Sequence, residues 1–120
     1  MSIGFNWFKR YEIIHKKPEH WNDWYELNYL DGNSTSHSAS NVIKVQNLIE
    51  KYSGKRIPSI SEEWIDSLDY ELDLIDPNEM VEICNKILSN KEVDEVDMRD
   101  RIEWFKKLSD EGYYLTYDIN

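Results

Sequence analysis

Nine carboxylates and no lysine or arginine occupy the stretch Ile57–Asn85. If residues 60–75 wind into a helix, each residue turns 100°, and Glu62, Asp66, Asp69 and Asp73 fall within an arc of about 60° opposite an apolar face. Successive rungs then rise by about 5.4 Å. Glu63 and Glu71 stand beside this row, and Asp76 and Glu79 carry the acidity into the next helix start. A row of carboxylates offers Lys and Arg the same charge-assisted acceptors as a row of phosphates. The chemistry it implies is recognition, not bond making.

A row of this kind works against its own helix. Like charges three and four apart destabilise by about 0.2–0.5 kcal/mol per pair, so three pairs cost on the order of 1 kcal/mol. Residues 99–107 offer a contrast within the same chain. There Arg99, Arg101, Lys106 and Lys107 mix with Asp100 and Glu103, and Glu103→Lys107 has the favourable order.

Other reactive residue types form no recognisable constellation. His15, His20 and His37 stand in no metal-binding spacing, and the acids lack the glycine and ligand order of an EF-hand loop. There is no GxSxG, GxxxxGK[ST] or GxGxxG. Cys84, the one cysteine, falls on an apolar helix face, where a thiol packs as a small hydrophobe. The sequence therefore predicts neither catalysis nor a cofactor or metal.

Aromatic residues crowd the first thirty positions. Trp21, Trp24 and Tyr25 are the candidates for an exposed interface, although aromatics in a small domain mostly serve the core. Lys9, Arg10, Lys16 and Lys17 lie among them, and pairing with the acidic half, within the fold or across a dimer, suits them better than nucleic-acid binding.

These residues need elements to hold them. Ile3, Phe5 and Trp7 alternate with small or polar residues, as do Tyr25, Leu27 and Tyr29, and an antiparallel pair accounts for both runs. Asp31-Gly32 signals a turn, and Asn33–Asn41 reads as a mobile polar loop with Ser38 or Ser40 capping the helix that follows. In that helix Val42, Val45, Leu48, Ile49 and Tyr52 share a face, with Gly54 as its stop. Ser59 with Glu62 has capping-box spacing for a second helix, whose apolar face is Trp64, Ile65, Leu68, Leu72 and Ile75. Asp76-Pro77-Asn78-Glu79 starts a third, lined by Met80, Val81, Ile83, Cys84, Ile87 and Leu88. A fourth begins near Asp97, buries Met98, Ile102, Trp104, Phe105 and Leu108, and stops at Gly112. Tyr113, Leu115, Tyr117 and Ile119 close the chain as a strand. The fold class is α+β, order ββααααβ: a small antiparallel sheet of two N-terminal strands plus a C-terminal strand, packed against about four helices.

The 120 residues make one domain, 1–120, with an aromatic content foreign to disordered chains. Residues 1–56 carry a formal +2 and residues 57–120 carry −12, giving −10 in all. That surplus opposes direct binding to nucleic acid or anionic membranes. No signal peptide or run of ~20 apolar residues is present, which predicts a cytoplasmic protein. In composition the chain resembles small acidic proteins that occlude a basic site, such as phage-encoded inhibitors of host nucleases and immunity proteins. The leading expectation is thus a non-enzymatic inhibitor presenting Glu62, Glu63, Asp66, Asp69, Asp73 and Asp76 to a basic nuclease or nucleic-acid-binding protein. The alternative is an assembly protein that dimerises or docks through Trp21, Trp24 and Tyr25, its acids serving solubility.

Overall fold

The computed structural model describes residues 3–37, 39–61, 71–90 and 96–119. Among these, strands β1 (Ile3–Phe8), β2 (Arg10–Lys16), β3 (Trp24–Leu30) and β4 (Asn33–His37) precede helix α1 (Ala39–Ser53). Strand β5 (Ser59–Ser61), helices α2 (Pro77–Leu88) and α3 (Val96–Asp110), and strand β6 (Tyr114–Ile119) follow. The architecture is α+β. A four-stranded sheet runs β4-β1-β6-β5, antiparallel except for the β5–β6 pair, and β2-β3 forms a separate antiparallel pair.

The two sheets share one long hairpin. Trp7 faces Asn33 and, three residues on, Arg10 faces Leu30, so the register of β1–β4 continues unbroken into β2–β3. The corner between them is built from backbone. Asp31 takes a left-handed φ of 60°, which Asp tolerates better than most residues. Gly32 packs so tightly that an added Cβ would stand 1.7 Å from the Trp7 carbonyl oxygen. Lys9 N donates to Leu30 O at 3.2 Å and ties the corner shut.

The core lies where helical and strand periodicities meet. Val42, Val45 and Ile49 of α1, Met80, Ile83, Cys84 and Ile87 of α2, and Met98, Ile102, Phe105 and Leu108 of α3 join Ile3, Phe5, Leu115 and Tyr117 in a continuous buried cluster. Phe5 meets Phe105 edge-on at 4.9 Å between ring centres, and Trp7 meets Trp104 at 5.1 Å. The expected apolar faces of all three helices are therefore the ones buried. Gly54 and Gly112 follow α1 and α3 with φ of 71° and 89°, the left-handed exit that glycine permits. Asp76 caps α2, its Oδ1 accepting from Asn78 N at 2.9 Å, with Pro77 at the first helical position. The Gln46 side chain braces the connector after α1, donating to Ile57 O at 2.7 Å and accepting from Ile57 N at 3.0 Å.

Four expectations need correction. The helix expected over 60–75 is absent at both described ends: Ser59–Ser61 is a strand beside β6, and Glu71–Asp76 lie outside any helix. In the run Glu71-Leu72-Asp73-Leu74, the acids are exposed and the leucines half-buried. That is a period of two, which a helical reading cannot satisfy. Ser59 thus caps nothing, and the described helices number three. Second, Asn33–His37 is not a loop but strand β4, held by β1 despite its polar composition. Third, the described strands are six, and β1 pairs with β4 and β6, not with the run containing Tyr25, because Lys9 divides the first run into β1 and β2. The C-terminal strand does join the N-terminal one as expected. Last, Ser40 lies inside α1, and Ser38 lies outside the described residues.

Candidate docking surface

Beyond the corner the hairpin leaves the core. None of the fourteen residues of β2 and β3 is buried. Its anchorage is at the base: Phe8 stacks on Tyr29 at 4.3 Å and meets Tyr11 edge-on at 6.2 Å, while Thr116 Oγ1 donates to the Tyr29 hydroxyl at 2.9 Å. Seven residues at about 3.3 Å each make an arm roughly 23 Å long. It contributes to the elongated dimensions of 57 × 29 × 23 Å.

Alternation along the strands sorts the arm into two faces. One carries the cross-strand pairs Tyr11–Tyr29, Ile13–Leu27 and His15–Tyr25, and the other Glu12–Asn28, Ile14–Glu26 and Lys16–Trp24. A free two-stranded hairpin is marginal in water, so the pairs must supply its rigidity. The His15 ring lies flat on Tyr25 at 4.7 Å, and its Nε2 is 3.0 Å from Asp23 Oδ2. Asn28 Nδ2 donates to Glu12 at 2.9 Å, Trp24 Nε1 donates to Glu26 at 3.2 Å, and Lys16 stands 3.6 Å from Glu26.

The three expected aromatics are close in the chain but do not form one platform. Trp21 sits in the loop at the tip, 81% exposed. Trp24 and Tyr25 are consecutive in β3, so they point to opposite faces, and both are half-buried. Ile13 and Leu27, beside Tyr25 on one face, and Ile14, beside Trp24 on the other, also belong to the arm's apolar surface and are not among the expected site residues. The alternation Tyr11-Glu12-Ile13 was the available signal for them.

Of the expected acidic row, Glu62, Glu63, Asp66 and Asp69 lie outside the described residues. Asp73 and Asp76 are exposed and come together with Lys9, Arg10, Tyr11 and Tyr114 around an open groove of about 560 Å³ at the base of the arm. The neighbouring Leu72 N donates to the Tyr11 hydroxyl at 3.5 Å. Arg10 is held by Asp31 at 2.7 Å, and the Lys9 ammonium lies 5.0 Å over the Tyr113 ring. Glu79 does not join the row, because Lys55 pairs with it at 2.8 Å. That hydrogen bond, first, and the charges of Glu79 and Asp73 raise the Lys55 pKa. Burial in the core pushes the Cys84 thiol up to about 12, as expected of a packing residue.

No helix among the described residues is long and apolar enough to cross a membrane. No family model, curated protein or solved structure matches this chain.

Proposed function

We propose that the chain is a non-enzymatic protein-binding module that docks on its partner through the β2–β3 arm. The observation that carries this reading is an internally braced ribbon with none of its residues buried and an apolar stripe along one face. A ribbon already ordered before contact loses little conformational freedom on binding. Half-buried aromatics and an exposed tryptophan are the side chains that dominate interface energies. The test is affinity capture from a lysate of the encoding organism with the wild-type chain and with Ile13→Ser plus Leu27→Ser. Loss of the captured partner by a variant that keeps the wild-type circular dichroism is the expected result. Undiminished capture by that folded variant would end the proposal.

A second reading, the nucleic-acid mimic, keeps support from Glu71, Asp73 and Asp76, which are exposed while Leu72 and Leu74 turn partly inward and Ile75 is buried. In that reading Glu62, Glu63, Asp66 and Asp69, which lie outside the described residues, are the further carboxylates offered to a basic nuclease or DNA-binding protein. Its test is charge reversal, Asp66→Lys with Asp69→Lys. Abolished, salt-sensitive binding supports mimicry, and binding retained by the folded variant rejects it.

A further inference from the structure

A ribbon packed on one side and wet on the other alternates apolar in and polar out. The arm departs from that pattern on its second face. Ile14 and Trp24 stand there as diagonal neighbours across the two strands, a separation of roughly 7–8 Å that large side chains span. On the first face stand Ile13, Leu27 and Tyr25, with the His15 ring laid on Tyr25. All are half-buried.

Area decides what can cover them. One face of the arm measures about 23 Å by 10 Å, on the order of 200 Å². A stable complex needs about 800 Å² from each partner. Two arms laid face to face fall short by about fourfold, and a second copy also brings its own surplus of ten negative charges. Covering both faces, the edges and the Trp21 loop comes much closer to the required area.

We infer that the arm inserts into a cleft of another protein that closes on both its faces, and that the mouth of this cleft is basic. Charge at the base of the arm supports the second clause. Glu71, Asp73, Asp76 and Asp31 are exposed there, against Lys9 and Arg10, and Arg10 is already paired with Asp31. The inference rests on docking through the arm and adds its mode and its partner's chemistry.

The test places the photoreactive side chain p-benzoylphenylalanine at position 13 or at position 14, on opposite faces, in the full chain. Position 24 replaces 14 if that variant misfolds, and exposed Asn47 of α1 serves as the control. Irradiation in lysate is followed by identification of the cross-linked protein. The expected result is one basic protein joined at both faces and not at position 47. Cross-linking from one face only overturns the cleft but leaves docking through the arm intact. A cross-link to a second copy, or to an acidic protein, overturns the partner assignment. No cross-link from either face overturns docking as well.

Discussion

Gly32 and Cys84 show how much a single position can demand. At Gly32 a Cβ would meet the Trp7 carbonyl oxygen at 1.7 Å and Phe8 Cα at 2.6 Å, both backbone atoms that cannot turn aside. Gly32→Ala must therefore open the corner or shift the register, and we expect a loss of about 3 kcal/mol in urea unfolding. An unchanged midpoint would contradict the close approach. Cys84 is wholly buried, and desolvation pushes its thiol from 9.0 up to about 12. The folded state therefore favours the protonated thiol. That contribution is fully present below pH 9 and is lost as pH rises from 9.0 toward about 12. At pH 8 the native thiol should resist a disulfide reagent that labels the urea-unfolded chain within minutes. Rapid labelling of the native protein would place Cys84 outside the core.

At the scale of elements, α1, α2 and α3 were legible because each has one apolar periodicity and an end signal that the structure bears out, although the cap expected for α1 at Ser40 is not one of them. Asp76 and Pro77 at the start of α2, and Gly54 and Gly112 after α1 and α3, act as their residue types dictate. The strands were less legible. Asn33–His37 has no strand propensity to announce it, and its place beside β1 comes from the continuing hairpin register, a tertiary cause. The expected acidic helix fails at its described ends, and at the second for a local reason: Leu72 and Leu74 alternate with Glu71 and Asp73, a period of two that competes with the helical spacing. Of the candidate site, the aromatics were legible as residue types, but their division between two faces was not. That division depends on where β3 begins. The Gln46 brace was invisible, since nothing in the sequence links it to Ile57. Gln46→Ala leaves Ile57 N and O unpaired in a buried place, and we expect a loss of about 2–4 kcal/mol. A loss below about 0.5 kcal/mol would show that water replaces the amide. The arm should behave oppositely. Tyr25→Ala removes a cross-strand stack from an unburied ribbon, so global stability should change by less than about 1 kcal/mol. By contrast Phe5→Ala should cost about 3–5 kcal/mol. Equal losses for the two would place the arm within the core.

The whole molecule combines a helical body built around one core with a slender arm, and its charge is divided along the chain. Residues 57–120 carry a formal −12, and among the described ones Glu71, Asp73 and Asp76 are exposed beside the arm's base, while residues 10–30 of the arm carry three basic and four acidic side chains. Under the proposed docking, long-range attraction to a basic partner and short-range apolar contact would fall to different parts. Raising salt from 0.05 to 0.5 M shortens the screening length from about 14 Å to about 4 Å. It should slow association more than it speeds dissociation. A salt effect confined to dissociation would contradict that division. The most direct test of docking through the arm is a heteronuclear NMR titration of the labelled chain with its captured partner. We predict that amide signals of residues 10–30 broaden or shift first and most, with smaller changes at 71–76 and little in α1. Changes confined to the helices, with residues 10–30 unmoved at saturation, would contradict the account.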